Sequence, residues 1–136
     1  MARRDRKAFR TLITEFNQGA IEKWNAQDLE GFCEGYSAAA IMATTAGLFR
    51  GQPAILRAYK ADYPDRSRMG RISVEVEDIE FPAELNLVST ASCVVKCRAE
   101  FDDESVEESY SMISFITDRS GQLRIVQDVS TSSSQV

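Results

Sequence analysis

Apolar residues Phe9, Leu12, Ile13, Phe16, Ala20 and Trp24 recur at three- and four-residue steps. That spacing places them on one stripe of an amphipathic helix expected from about Asp5 to Asn25, with Arg6, Arg10, Glu15, Glu22 and Lys23 on the wet face. The arginines clustered at its start oppose the helix dipole and read as a solvated tail. Asp28 precedes Leu29, Phe32, Cys33 and Tyr36. A carboxylate just ahead of such a pattern can accept the orphan amide hydrogens of a helix start, so a second, short helix is expected, ended by Gly35. Tyr36 to Thr45 reads as a strand, and Gly47 and Gly51 bracket a turn with a short return strand. A third helix opens at Pro53 and stops near Tyr63, because Pro64 disfavours helical geometry in the residue before it.

From Arg71 onward the period falls to two. Ile72, Val74 and Val76 alternate with Ser73, Glu75 and Glu77, and a longer strand from Leu85 to Phe101 puts Leu87, Ala91, Cys93, Val95, Cys97, Ala99 and Phe101 on one face. Asp102 to Glu104 is a turn, Ser105 to Thr117 a strand, Asp118 to Gly121 a second turn, and Leu123 to Thr131 the last strand. These segments are expected to pair as successive antiparallel neighbours.

Length and charge narrow the classes of function. A chain of 136 residues is the size of one domain. With 43% apolar and 27% charged residues and no long apolar run, it reads as a soluble protein without a membrane partner. Its net charge of -5 opposes the phosphate neutralisation on which nucleic-acid binding depends. Arg10, Thr14 and Glu15 interrupt the apolar stretch behind the basic start, so no secretory leader is read there. Cys33, Cys93 and Cys97 are odd in number, and the last two, four apart in a strand, lie about 13 Å apart, too far for a disulfide. Free thiols point to a cytoplasmic protein.

The ordered set Trp24-Asn25, Asp28-Leu29, the tyrosine-led strand at Tyr36, Gly51 with Ala54-Ile55, and the terminal strand within Gly121 to Ser130 resembles the SnoaL-like and ketosteroid-isomerase-like proteins of the nuclear transport factor two-like superfamily. The likeness spans nearly the whole chain. It implies an α+β fold, a cystatin-like roll in which a cone-shaped, curved antiparallel sheet packs around three N-terminal helices. Residues 1–131 would form a single domain and 132–136 a frayed tail. It also implies a pocket at the open end of the cone and a homodimer through the outer sheet face, where Thr90, Ser92, Val94, Lys96 and Arg98 lie.

Candidate chemistry is sparse. The small residues Ser89, Ala91, Cys93 and Ala99 on one strand face, with Ala38 to Ala40, leave a cavity unless Trp24, Phe32, Tyr59, Met112 and Phe115 fill it. Expected pocket-lining residues are Trp24, Phe32, Tyr36, Met42, Tyr59, Tyr63, Cys97 and Tyr110. The resemblance places the steroid isomerases' aspartate base at Thr44 and their first-helix tyrosine at Ala20, which argues against that chemistry. Asp128 is the candidate catalytic acid, since a buried carboxyl in Ile125-Val126-Gln127-Asp128-Val129 would have a raised pKa. Strict alternation instead puts Asp128 on a polar face with Arg124, Val126 and Ser130, paired with Arg98 or Arg124. Asp62, Glu34 and the tyrosine hydroxyls are the other acid–base candidates.

With no histidine in the chain there is no His-based triad and no histidine metal ligand. The cysteine spacing suits no zinc site, and no cofactor is expected. Three readings remain: a domain that binds a small hydrophobic molecule; a cofactor-independent isomerase, cyclase or dehydratase acting on a polyketide- or terpenoid-like substrate; and a non-catalytic dimerisation module.

Overall fold

The computed structural model describes residues 3–82, 86–131 and 134–135. Asp5 accepts a hydrogen bond from the Ala8 amide at 2.7 Å and caps α1, Arg6–Asn25. The basic start is tied down: Arg4–Asp5 (β1) pairs with Leu87–Val88, and the guanidiniums of Arg6 and Arg10 lie over the Phe81 ring. Asp28 caps α2, Leu29–Cys33, accepting from the Gly31 amide at 2.9 Å. A Cβ at Gly31 would overlap that carboxylate, so cap and glycine are a matched pair.

Strand β2, Tyr36–Thr44, turns into β3, Gly47–Arg50. Gly51, at φ 87°, then redirects the chain into α3, Gln52–Asp62, while its amide donates to the Ala40 carbonyl at 2.7 Å. The Gln52 side chain fastens this junction by donating to the carbonyls of Cys33 and Tyr36. A short helical turn at Arg66–Arg68 leads to β4, Arg71–Glu80. Trp24-Asn25 explains itself here. The indole donates to the Met69 carbonyl at 3.1 Å, and the Asn25 amide both donates to and accepts from the Ile72 backbone, acting as a strand partner at the start of β4.

The remaining strands are β5 (Leu87–Val88), β6 (Thr90–Glu100), β7 (Val106–Thr117), β8 (Leu123–Ser130) and β9 (Ser134–Gln135). Leu85, where the longest strand was expected to begin, lies outside the described residues. The strand breaks at Ser89, which leaves Leu87 52% exposed and buries Val88 in place of Leu87. Within the expected tail, Ser134–Gln135 pair with Glu107 and Glu108; residues 132, 133 and 136 lie outside the described set.

The main sheet runs β3-β2-β8-β7-β6-β4 and curves around the helices. Pairs β4–β6, β6–β7 and β7–β8 are antiparallel as expected, but β2 and β8 are parallel, which makes the sheet mixed. The cause is the route of the chain: β3, α3 and the strands β4 to β7 intervene before β8 returns beside β2. Between sheet and helices lies a core of Phe9, Ile13, Tyr36, Ile55, Val88, Ala91, Cys93, Val95 and Phe115. No helix among the described residues is long and apolar enough to cross a membrane.

Candidate functional site

The register of β8 decides where its carboxyl points. Against β7, Phe115 faces Ile125 and Ser114 faces Gln127, so Val126 is an extra, unpaired residue. The bulge breaks strict alternation and turns Leu123, Ile125 and Asp128 to the same inner face. Asp128 is therefore 5% exposed, between Met42 of β2 and Ile113 of β7. The expected partners are engaged elsewhere, Arg98 with Glu100 and Glu108 and Arg124 with Asp118. Asp128 instead has hydroxyl partners. Tyr36 donates to Oδ2 at 2.6 Å, Ser130 donates to Oδ1 at 3.1 Å, and the network extends from Tyr36 to the Tyr59 hydroxyl (3.2 Å) and from Ser130 to Ser111 (2.9 Å).

Burial pushes the Asp128 pKa above the ordinary carboxylate value, with the Tyr36 and Ser130 hydrogen bonds only partly opposing it. Tyr36 and Tyr59 are likewise raised, chiefly by burial and further by the Asp128 charge, so both hold their protons. Asp128 is the group in this network that can exchange a proton. Burial also raises Cys33 to about 12 and Cys93 to about 11, which keeps these free thiols protonated and unreactive.

The network opens onto a cavity of about 390 Å³. Its helical wall is the second half of α1, with Phe16, Asn17, Ala20, Ile21 and Trp24, joined by Phe32, Tyr59 and Tyr63. The sheet wall carries Val95, Cys97 and Ala99 of β6, Ser109, Ser111 and Ile113 of β7, and Ile125, Asp128 and Ser130 of β8. Trp24 meets the edges or faces of Phe32, Tyr59 and Tyr63 at centroid distances of 5.0, 5.8 and 5.3 Å. One donor is left over: the side-chain Nδ2 of Asn17 is buried with no partner among the described residues.

The structure thus brings Trp24, Phe32, Tyr36, Tyr59, Tyr63, Cys97 and Asp128 to one cavity, with Asp62 at its edge. Two expected lining residues are elsewhere. Tyr110 points to the outer face opposite Lys96 and is 45% exposed, because its neighbours Ser109 and Ser111 take the inward positions. Met42 is buried beneath the Tyr36 hydroxyl, with Sδ at 3.9 Å, behind the wall rather than on it. Asn17, Ser111 and Ser130 were not singled out from the sequence. Asn17 sits one position past Phe16 on α1, and the serines show their roles only in strand register.

A wider, shallower concavity of about 920 Å³ lies between α1, α2 and the β7–β8 turn, and Glu34 is on it. Its charged groups, among them Lys23, Glu15, Asp118 and Arg124, are of both signs, and Asp128 is absent from its lining. The narrower cavity beside Asp128 is the better candidate site. No cluster of metal-binding side chains occurs among the described residues.

No protein-family profile and no curated protein matches the chain. Solved structures do. An NTF-2 like protein of unknown function from Shewanella oneidensis superposes with a TM-score of 0.78 at 19% identity, over 90% of this chain and 98% of that one. A domain of unknown function with a cystatin-like fold from Nostoc punctiforme gives 0.75 at 20% identity, over 91% and 76%. A ketosteroid isomerase-like protein from Erwinia carotovora atroseptica gives 0.71 at 8% identity, over 93% and 95%. The fold is therefore the cystatin-like, NTF2-like α+β roll, as the sequence resemblance implies.

Proposed function

We propose that this chain is a cytoplasmic domain that binds a small, predominantly apolar molecule in the cavity beside Asp128. The observation that carries the reading is the Asp128 carboxyl itself, buried, held by two hydroxyl donors and facing about 390 Å³ of space walled by aromatic and aliphatic side chains. Such a cavity is within the volume range of small-ligand sites. A buried carboxyl with a raised pKa is favourable only if it stays neutral or meets a partner.

The same carboxyl supports a second reading, cofactor-independent proton transfer in an isomerase, cyclase or dehydratase. Asp128 would move the proton and Tyr36 would orient it. The likeness to a ketosteroid isomerase-like protein is compatible with this, although Thr44 and Ala20 occupy the positions that the resemblance gives to that chemistry's base and tyrosine.

A homodimer through the outer sheet face is part of the proposal. Leu48, Ala43, Val129, Met112 and Val94 lie in register across five strands of that face, with Leu48, Val129 and Met112 each more than half exposed. Trp24, the single tryptophan, lines the cavity and reports on it. Titration with a neutral apolar probe such as 3-phenylpropan-1-ol should change Trp24 emission saturably in wild type and more weakly after Ala20→Leu, which narrows the cavity. No saturable change in wild type would sink the binding reading.

A further inference from the structure

The charge around the cavity is one-sided. Among the described residues its ionisable lining consists of the carboxyls Asp62, Glu107 and Asp128 together with tyrosine and cysteine, with no Lys or Arg, although the chain has 16 of them. The wider outer concavity, by contrast, mixes Lys23 and Arg124 with acids. Of the three cavity carboxyls only Asp128 is buried, and a carboxylate buried beside such a cavity repels anions and attracts cations. The aromatic wall of Trp24, Tyr59 and Tyr63 adds ring faces, which also attract cations. Asp128 has hydroxyl partners only, so its buried charge has no counter-ion among the described residues.

Resting on the binding reading above, we infer that the ligand is an organic amine: an apolar body whose protonated nitrogen pairs with Asp128 and whose hydroxyl or carbonyl oxygen accepts from Asn17. The second contact follows from an independent observation: Asn17 lines the same cavity, and its buried Nδ2 lacks an acceptor among the described residues, so a turn of the side chain would bring that donor to the ligand. The ammonium supplies the counter-ion that Asp128 lacks. The oxygen satisfies the orphan donor. An acidic ligand of the same skeleton would face the buried Asp128 carboxyl with no Lys or Arg among the described lining residues.

A matched series tests this in the intact protein at neutral pH, read by Trp24 fluorescence and calorimetry. 2-Amino-1-phenylethanol, 1-phenylethane-1,2-diol and mandelate share a phenyl carbinol and differ only in the terminal group. The amine should bind about five- to tenfold tighter than the diol, the difference between charge-assisted and neutral hydrogen bonding, with mandelate weakest. Asp128→Asn should erase the gap between amine and diol, whereas Asn17→Ala should weaken both alike by a few-fold. Equal binding of amine and diol, or a gap that survives Asp128→Asn, overturns the inference and leaves the apolar-cavity reading standing. Failure of all three, with 3-phenylpropan-1-ol still bound, also overturns it. Failure of that neutral probe as well removes the binding reading itself.

Discussion

The two halves of α1 face the same curved sheet and do opposite things. The first half fills the space. Phe9 and Ile13 are fully buried, and at the boundary between the halves Phe16 packs edge-on against Phe115 at 5.3 Å while also touching the cavity. The second half presents Asn17, Ala20 and Ile21 to a sheet wall of Cys97, Ala99, Ser109 and Ser111, and a cavity remains. Backbone architecture is shared, so side-chain volume on both walls decides which end of the roll is core and which is site.

The contrast is broken most severely at the filled end. Phe115→Ala should lose about 3–5 kcal/mol of stability, because a 1%-exposed ring leaves a void against Phe16 and α1. Chemical denaturation checks it. A loss below about 1 kcal/mol would mean that the two ends are packed alike. At the open end, Ala20→Leu should change stability by less than about 1.5 kcal/mol, since the added atoms enter existing space rather than displace neighbours. A larger loss would show that the cavity collapses in solution.

A subtler difference is electrostatic. Burial raises the Asp128 pKa above its ordinary 3.8, so the native state keeps that proton over a pH range where the unfolded chain has released it. The stability tied to this group is therefore complete below 3.8 and declines as pH rises through the native value. Asp128→Asn should melt higher than wild type at neutral pH and lose that advantage in acid. The outward-facing acids behave oppositely: Glu30, held near 2 by its hydrogen bond to Arg66, favours the native state above its unfolded value. Comparing variant with wild type isolates Asp128 from that background. The smallest effect on folding is expected on the outer face, where Val94→Asp should alter monomer stability by less than about 1 kcal/mol while abolishing dimer sedimentation. Unchanged assembly would remove the outer face as an interface.

Much of this scaffold is legible from local chemistry. Asp28, Gly51 and Pro53 mark helix boundaries through capping, positive φ and a fixed proline ring, and the period-two runs locate four strands. The parallel pairing of β2 with β8 is not local, since it joins residues about ninety positions apart in sequence. Nor is the direction of Asp128. Alternation is a sound rule for a regular strand, and it assigns Asp128 to the face opposite Ile125. The unpaired Val126, which exists only in the pairing with β7, reverses that assignment. Tyr110 shows the converse: an aromatic hydroxyl reads as pocket chemistry by type, yet one step of register sends it outward. The resemblance identified the scaffold, whereas the site depended on two register details that composition does not encode.

The carboxyl of Asp128 tests the account most directly. Its carbon-13 resonance, followed against pH in wild type and assigned with Asp128→Asn, should titrate above 3.8 and shift when 3-phenylpropan-1-ol is added. A midpoint at or below 3.8, unmoved by the probe, would mean a solvated or ion-paired surface acid and would contradict a buried carboxyl at a ligand-accessible cavity.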